Sequence, residues 1–323
     1  MYPLKFKPIV KDKIWGGSKL EKLYGKKPDG LPNIGESWEL SGYPNDVSVV
    51  SNGYLAGKTL QELLDTYKEQ LVGKRVYSRF GNSFPLLFKL IHAEDNLSIQ
   101  VHPDDKTALK RHNTLGKTEM WYVLHAEPKA ELIIGFNKNY SKKAYLKALE
   151  EDKVEELLRH VPVEPGDCFF IPAGLVHAIG KGIVLAEIQE SSDATYRIYD
   201  YKRKDVEGNE RELHTELALS VINFKASKYP KTEYTPVLNE FVPLVKCEYF
   251  TTELLDFNNK VTLPYNLTET FVVYMCLEGN FEISGGTSIT HVKKGETIML
   301  PAGMKYPTLI PDGRAKVLEV FID

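Results

Sequence analysis

Four side chains that could bind a metal ion lie on segments of strand-like sequence. Gln100 and His102 are two positions apart between apolar residues, and in a β-strand this spacing directs both side chains to one face. Glu119 opens a run of β-prone residues, and His177 ends a strand-turn-strand segment. Two imidazoles, a carboxylate and an amide oxygen would leave a divalent cation with net positive charge and a free coordination position. We therefore predict a metal site, although the ligand types alone do not exclude manganese, iron or cobalt.

Short strands and turns must position these residues. Apolar runs separated by polar turns predict strands at residues 85–92, at residues 97–101 and again from residue 161. The first 55 residues have many turn signals, and we expect only edge strands there, around Trp15 and at residues 35–41. The aromatic residues of those strands are expected in the core.

Helices are expected to interrupt the strands. Thr59 is a candidate N-cap for a helix that ends near residue 72, and Ser141 is a candidate N-cap for a helix that ends near residue 160. A short helix is predicted at residues 212–224, and residues 230–243 are typical of a linker. The helices would lie outside the sheets.

One segment is repeated in the C-terminal half. Residues 295–306 match residues 166–177 in both glycines and in the proline between them, with Tyr306 in the position of His177. The strand and turn at residues 270–279 parallel those that follow the candidate glutamate ligand. An internal repeat of this kind predicts two related β-barrels, of which only the first keeps the metal-binding side chains.

The repeat also suggests a domain boundary. Residues 1–229 would form an irregular and helical N-terminal segment with the metal-binding barrel, and residues 230–323 would form a degenerate second barrel. The predicted fold is therefore mainly β, with two barrels and a few helices.

Composition and charge exclude several classes of function. The 323 residues are 42% hydrophobic with a net charge of −3, which gives no reason to expect nucleic acid as a partner. Neither a signal-peptide core nor an apolar run of about 18 residues that could span a membrane is visible. Cys168, Cys247 and Cys276 are widely spaced and odd in number, which indicates free thiols in a reducing compartment. We expect a cytoplasmic protein.

Two motifs carry a family resemblance. The Gly, Pro, Gly and His of residues 166–177 resemble the second signature of the cupin superfamily, and residues 100–102 (Gln-Val-His) resemble the first, with glutamine replacing the usual histidine. Residues 98–103 (Ser-Ile-Gln-Val-His-Pro) and 117–122 (Lys-Thr-Glu-Met-Trp-Tyr) resemble type I mannose-6-phosphate isomerases of the short bacterial form. Thr118 stands where that family often has proline.

The resemblance implies a fold and an activity. Both barrels would be cupin-like jelly rolls, and one Zn²⁺ ion per chain would be bound by Gln100, His102, Glu119 and His177. Arg197 would be the active-site arginine. The enzyme would interconvert mannose 6-phosphate and fructose 6-phosphate through an enediol(ate). We expect a monomer or a weak homodimer whose partner is a small phosphosugar.

Several residues compete for the proton-transfer role in such a reaction. Lys117 would share the face of Glu119 if the strand begins that early, and nearby positive charge would lower its pKa. Glu187, Asp193 and a metal-bound water are the alternatives. Glu187 and Asp193 could equally be a structural anchor and a turn cap.

A sugar phosphate also requires cations and hydroxyl donors. Lys89 lies in an otherwise apolar strand, so its charge must reach solvent or meet an anion, and Ser98 shares the face of the candidate ligands by the two-residue period. With Arg197, these residues could contact the substrate. The alternative is that Lys89 ends a strand, Ser98 is a small core residue and Arg197 forms a surface ion pair.

Three other functions fit parts of the sequence. Isomerisation of another phosphosugar, such as glucose 6-phosphate, differs only in hydroxyl stereochemistry. A non-catalytic sugar-binding cupin would not need the complete set of ligands. An iron-dependent oxygenase would need a redox-active metal.

Overall fold

Strands dominate the computed structural model, which describes residues 1–26, 30, 33–204, 208–226, 231–263, 269–285, 288–304 and 306–323. The strands in these ranges are β1 (Leu4–Lys5), β2 (Ile9–Gly17), β3 (Ile34–Ser41), β4 (Leu86–Ala93), β5 (Ile99–Val101), β6 (Glu119–Ala126), β7 (Glu131–Phe136), β8 (Leu158–Pro162), β9 (Cys168–Ile171), β10 (His177–Ile179), β11 (Ile183–Glu190), β12 (Tyr196–Tyr199), β13 (Phe241–Lys246), β14 (Thr251–Phe257), β15 (Val261–Thr262), β16 (Val272–Glu278), β17 (Asn280–Gly285), β18 (Ser288–Lys293), β19 (Thr297–Leu300), β20 (Thr308–Pro311) and β21 (Ala315–Phe321). The α-helices are α1 (Lys19–Tyr24), α2 (Leu60–Tyr67), α3 (Glu69–Val72), α4 (Lys74–Phe80), α5 (Asp105–His112), α6 (Lys142–Glu150) and α7 (Thr215–Leu219).

The first barrel consists of two sheets. One sheet has the strand order β2-β3-β4-β11-β6-β9, and the other has the order β12-β5-β10-β7-β8. Buried apolar residues from both sheets, among them Ile91, Trp121 and Ile134, form a shared core between them. The prediction of a mainly β fold is confirmed.

The second barrel repeats this arrangement. Its sheets have the orders β1-β19-β16-β21-β14-β13 and β15-β20-β17-β18. An apolar cluster that includes Phe257, Phe281 and Met304 fills the space between them. The N-terminal strand β1 pairs with β19, so the start of the chain completes a sheet of the second barrel. The boundary between residues 229 and 230 stays a prediction.

The repeated glycines have the same backbone conformation in both barrels. The φ angles are 99° at Gly166 and 83° at Gly174, and 83° at Gly295 and 84° at Gly303. Residues with side chains adopt this region only at a cost in free energy, so the glycines are needed at these turns. The repeat in the sequence is therefore a repeat in backbone structure.

The helix after Thr59 begins as predicted. The Thr59 side chain accepts a hydrogen bond from the Glu62 amide, and the Glu62 carboxylate accepts one from the Thr59 amide, which completes a capping box. Lys68 then breaks the helix into α2 and α3 with a φ of 49°. The predicted single helix is therefore two short ones.

The helix after Ser141 is shorter than predicted. Its N-cap is correct, because the Ser141 side chain accepts a hydrogen bond from the Ala144 amide, but α6 ends at Glu150. A 3₁₀ turn follows, and Leu158 then pairs with Phe136 as the first residue of β8. The apolar residues near position 158 belong to a strand because they pair with β7, which lies earlier in the chain.

Other element boundaries also differ from the predicted ones. The helix predicted at residues 212–224 is limited to α7, and β13 begins inside the predicted linker. The segment at residues 35–41 was predicted as an edge strand, which is wrong: β3 lies between β2 and β4, and β2 is the edge. The Glu39 carboxylate in this strand is buried and accepts a hydrogen bond from Lys26 Nζ at 2.6 Å. Among the described helices, none is long and apolar enough to cross a membrane.

Candidate metal centre and active site

Three adjacent strands bring predicted site residues side by side. On β5, Gln100 is paired with Arg197 of β12 and with His177 of β10. Directly paired residues in neighbouring strands direct their side chains to the same face. His102 immediately follows β5, and Glu119 is the first residue of β6 in the facing sheet. The predicted ligands therefore converge between the two sheets of the first barrel.

His102, Glu119 and His177 form a buried cluster whose ligand atoms all lie within 4.8 Å of one another. The Nε2 atoms of the two histidines are 3.1 Å apart. Glu119 Oε1 lies 3.3 Å from His177 Nε2, and Glu119 Oε2 lies 3.6 Å from His102 Nε2. The Gln100 amide nitrogen is 3.4 Å from His177 Nε2, so all four predicted ligands are brought together.

The protonation of the two imidazoles fits a bound cation. His102 Nδ1 is 3.0 Å from the Ala194 carbonyl oxygen and His177 Nδ1 is 2.8 Å from that of Leu175, so each Nδ1 carries the donated proton. Burial lowers the pKa of His102 well below its usual value, and it lowers the pKa of His177 to about 3. Both rings are neutral, and their Nε2 lone pairs face each other.

Glu119 has an oxygen without a donor in the same place. Within the described residues, Glu119 Oε1 is buried and has no hydrogen-bond partner. Two imidazole lone pairs and one carboxylate oxygen at these distances repel one another unless a cation lies between them. The arrangement therefore fits a divalent metal ion, and its ligands are the nitrogen and oxygen donors expected of catalytic sites.

Lys117 lies beside this cluster. Its Nζ donates to Glu119 Oε2 at 2.5 Å and is 3.2 Å from His102 Nε2. The Lys117 side chain is buried and contacts Glu119, although β6 begins only at Glu119 and does not extend to position 117, as the strand-based prediction required. Burial, together with the charge of Glu187, raises the pKa of Glu119 to about 7, although Lys117 opposes that shift.

Lys89 and Glu187 form a second buried ion pair. Lys89 Nζ is 2.9 Å from Glu187 Oε1 and donates to Gln189 Oε1 at 2.6 Å. Trp121 Nε1 donates to the other Glu187 oxygen at 2.8 Å. Burial disfavours the charge on Glu187, but Lys89 and Lys117 outweigh it and lower its pKa to about 2. Lys89 therefore meets an anion inside the barrel, one of the two outcomes that the sequence allowed.

A cavity of about 270 Å³ adjoins the cluster. Seven of the ten predicted site residues line it, namely Lys89, Ser98, Gln100, Lys117, Glu187, Asp193 and Arg197. The remaining three are the two histidines and Glu119, which do not line the cavity but contact Gln100 and Lys117. Ser98 is buried on the wall, whereas Asp193 is exposed. The structure thus places all the predicted residues in one region.

Arginines form the wall of the cavity near Arg197. Arg211 donates to both oxygens of the buried Asp200, at 2.6 and 2.5 Å, and Arg203 donates to the same carboxylate. Arg197 donates to the Glu212 carbonyl oxygen at 2.7 Å, and its Nε has no partner within the described residues. Burial and the charges of the other two arginines lower the pKa of Arg197. This wall can attract an anion.

Three charged lining residues were not predicted from the sequence, namely Lys13, Glu36 and Arg211. Lys13 and Trp15 lie two positions apart on β2, and Glu36 and Trp38 lie two positions apart on β3, so period-2 alternation could have placed them. Lys13 Nζ is 3.3 Å from Glu36 Oε1. For Arg211, which follows β12 outside any strand, the sequence offered no comparable signal.

Two sequence families match separate parts of the chain. The family described as "Phosphomannose isomerase type I, catalytic domain" matches residues 3–140, and "Mannose-6-phosphate isomerase, cupin domain" matches residues 241–321. The Bacillus subtilis protein named mannose-6-phosphate isomerase ManA is 37% identical over 305 residues, which is 94% of each chain. The chain belongs to the type I phosphomannose isomerase family. A mannose-6-phosphate isomerase of Streptococcus mutans is also 37% identical, over 94% of this chain and 93% of its own.

Solved structures agree with this family membership. The crystal structure of the mannose 6-phosphate isomerase from Bacillus subtilis has a TM-score of 0.88 and 32% identity, with 99% of both chains covered. A putative mannosephosphate isomerase from Archaeoglobus fulgidus has a TM-score of 0.79 at 23% identity, which supports the fold alone. The resemblance noted in the sequence, to an isomerase family with two cupin barrels, is confirmed.

Proposed function

We propose that this type I phosphomannose isomerase interconverts mannose 6-phosphate and fructose 6-phosphate with one Zn²⁺ ion per chain. The observation that carries the proposal is the convergence of two unprotonated imidazole nitrogens and the Glu119 carboxylate beside a cavity with an arginine-rich wall. Relatives at 37% identity over nearly the whole chain carry the name of this activity. A phosphosugar is the partner that this cavity would take.

The metal would be held by His102, Glu119, His177 and Gln100. A rotation of the Gln100 amide would direct its oxygen, the usual ligand atom, toward the cluster. When bound, the ion supplies positive charge that stabilises the oxyanions of an enediolate. The carbonyl groups of Ala194 and Leu175 fix the histidine tautomers that leave each Nε2 free for the ion.

Lys117 is the proposed proton carrier. Acting as the base, its Nζ would take the proton from C2 of the open-chain aldose and return it to C1, while the hydroxyl proton moves from O2 to O1. Lys117 lines the cavity and is held between Glu119 and His102. Both oxygens of Glu187 are bound by Lys89 and Trp121, so Glu187 is better suited to hold its neighbours in place than to move a proton.

The phosphate group is proposed to lie against Arg197, Arg211 and the Ser98 hydroxyl. Arg211 is fixed by two hydrogen bonds to Asp200, which preorganises its guanidinium for a phosphate. Lys89 keeps its predicted place on the cavity wall, but Glu187 neutralises its charge. We therefore assign Lys89 to a sugar hydroxyl rather than to the phosphate. Asp193 lies at the exposed side of the cavity, where it would contact a sugar hydroxyl.

The free cysteines support a reducing, cytoplasmic setting for the enzyme. Cys168, Cys247 and Cys276 are all unpaired, and the first and last of them are buried. The expected oligomeric state, a monomer or a weak homodimer, stays a prediction.

A coupled assay with mannose 6-phosphate and with glucose 6-phosphate, combined with elemental analysis, tests the proposal. Wild type should turn over mannose 6-phosphate and contain about one zinc ion per chain. Lys117→Met should keep the metal and lose about 10²- to 10⁴-fold in kcat, the usual contribution of a general base. Lys316→Met, which removes a lysine paired with Glu278 in the second barrel, is the matched control and should be unaffected.

The results test the substrate, the metal and the role of Lys117 separately. Metal binding without turnover of mannose 6-phosphate contradicts the substrate, and a preference for glucose 6-phosphate would assign the alternative phosphosugar. Activity that persists after dialysis against a chelator contradicts the metal. Full activity of Lys117→Met contradicts its role as proton carrier.

A further inference from the structure

Two carboxyl groups outside the cavity bind the backbone on either side of Lys117. The Gly116 amide donates to Asp105 Oδ1 at 2.7 Å, and the Thr118 amide donates to Glu190 Oε2 at 2.7 Å. Asp105 is the first residue of α5, and Glu190 is the last residue of β11. Neither residue lines the cavity, and neither belongs to the proposed metal ligands.

The segment between these two bonds is held along its whole length. Lys117 itself donates its amide to the Pro103 carbonyl oxygen at 3.1 Å. The Glu190 amide donates to the Thr118 carbonyl oxygen, also at 3.1 Å. At Gly116, a Cβ atom would come within 2.6 Å of the Asp105 nitrogen, so the segment packs directly against the start of α5. Three consecutive amides are therefore anchored around the residue that carries the proton.

The donor at position 118 depends on this particular sequence. A proline at this position would have no N–H and could not bind Glu190. Thr118 provides that N–H, and the Glu190 carboxyl group accepts its hydrogen bond. The restraint that a proline ring would impose on the backbone is here supplied by a hydrogen bond to a side chain.

The Asp105 carboxyl group also lies near that of Glu190 and favours its protonated form. Burial, opposed by the Thr118 amide and aided by Asp105, raises the pKa of Glu190 to about 8. Glu190 is 2% exposed. Cys247 and Tyr249, in the turn between β13 and β14 of the second barrel, lie near Glu190. A pKa near 8 favours the protonated form of Glu190 at neutral pH.

We propose that Asp105 and Glu190 are positioning residues that hold the Lys117 backbone and thereby aim its Nζ at the substrate. The proposal rests on the proposed function, because it assigns the proton transfer to Lys117. The pair is a clasp, because one oxygen of each carboxyl group binds the backbone on either side of Lys117.

Substitutions at Glu190 separate positioning from simple stability. Glu190→Gln keeps an oxygen for the Thr118 amide and an N–H for Asp105, so it reproduces the protonated acid. Glu190→Ala removes both. Glu39→Gln is the matched control, because Glu39 is equally buried and bonded to Lys26 and Ser37 but does not line the cavity.

We would measure kcat, KM, metal content and thermal unfolding for these variants, with amide hydrogen exchange in residues 113–119. Glu190→Ala should lose about 10-fold or more in kcat, since small misplacements of a reacting group are costly, and should keep its metal and its KM within about 2-fold. Its Gly116 and Thr118 amides should exchange faster. Glu190→Gln should match wild type in both readouts, and Glu39→Gln should change only thermal unfolding.

Two results would overturn the clasp. One is Glu190→Ala with the kcat and the exchange rates of wild type, and the other is Glu190→Gln as impaired as Glu190→Ala. If wild type does not turn over mannose 6-phosphate, the proposed function fails, but the exchange rates of the two variants still decide whether the carboxyl pair holds the segment.

Discussion

The two barrels share a strand order but differ in what their equivalent strands carry. The order β3-β4-β11-β6-β9 in the first barrel corresponds to β13-β14-β21-β16-β19 in the second. In both, an aromatic side chain donates a hydrogen bond to a glutamate on the adjacent strand. Trp121 Nε1 donates to Glu187 at 2.8 Å, and Tyr274 Oη donates to Glu319. The same polar pair thus lies inside each barrel.

The residue paired with this glutamate on the neighbouring strand has opposite charge in the two barrels. Lys89 is paired with Glu187 in the first barrel, and Glu253 is paired with Glu319 in the second. The first barrel therefore contains an ion pair, and the second contains two carboxyl groups. Burial raises the pKa of Glu253, which favours the protonated form of one member of that pair.

The metal-ligand position differs more sharply. Glu119 is paired with Ile171 at the start of β6, and the corresponding residue of β16, paired with Leu300, is Val272. Val272 belongs to the apolar cluster that fills the second barrel. The cupin fold therefore accommodates either polar or apolar side chains at these strand ends. A few positions decide whether a barrel can hold a metal.

Substitution of the equivalent residues Glu119 and Val272 should give the largest contrast. Glu119→Ala should remove the metal and at least about 1000-fold of kcat, since metal charge stabilisation is worth several kcal/mol. Val272→Ala should leave kcat unchanged and lower the free energy of unfolding by about 1–3 kcal/mol through loss of packing. Turnover, elemental analysis and urea unfolding measure these effects. Loss of metal from Val272→Ala would contradict the separation of roles.

Stability at high pH should distinguish the carboxyl pairs of the two regions. The pKa of Glu190 is raised from 4.5 to about 8, so the folded state binds its proton more tightly than the unfolded state. The resulting stability is fully present below pH 4.5 and is lost as the pH rises through 8. The free energy of unfolding of wild type should therefore fall between pH 5 and pH 9 more than that of Glu190→Gln.

Glu253→Gln should reduce the same pH dependence by a smaller amount. The direction is the same because the pKa of Glu253 is also raised, but its side chain is only half-buried. Urea unfolding at several pH values tests both variants. Identical pH profiles for wild type and Glu190→Gln would mean that Glu190 does not hold a proton in the folded state.

Removal of the shared aromatic donor should affect the two barrels unequally. Trp121→Phe and Tyr274→Phe each leave a buried glutamate without one donor, which should cost about 1–3 kcal/mol of unfolding free energy. Trp121→Phe should also lower kcat several-fold, because Glu187 adjoins Lys117 and the Trp121 ring packs edge-on against His177 with the ring centroids 5.3 Å apart. Equal kcat values for the two variants would contradict this assignment.

Local patterns in the sequence predicted candidate metal ligands that the structure brings together. The two-residue period placed Gln100 and His102 on one face, and the glycines of residues 166–177 and 295–306 identified the repeat because their turns require positive φ. These signals depend only on backbone geometry over a few residues. They can therefore be recognised in the sequence without knowledge of the tertiary structure.

Contacts between distant segments could not be predicted in the same way. Lys89 meets Glu187 across 98 positions of sequence, and nothing near either residue specifies that pairing. The helix after Ser141 ends early because Leu158 joins a strand partner at Phe136. Arg211 reaches the cavity because Asp200 holds it, in a segment without periodicity. Each miss reflects a tertiary contact that overrides or supplements local propensity.

The smallest effect, on metal content, is expected when a histidine is introduced into the second barrel. Tyr306→His restores the residue found at His177, but Tyr306 is 58% exposed with a φ of 47°, and Val272 stands where the first barrel has Glu119. A single exposed imidazole without a carboxylate partner binds divalent metals weakly, so the variant should still contain about one metal ion per chain. Elemental analysis after dialysis against excess zinc measures this directly. A second tightly held ion would mean that the second barrel provides ligands other than those at the equivalent positions, and that the apolar filling is not what distinguishes the two barrels.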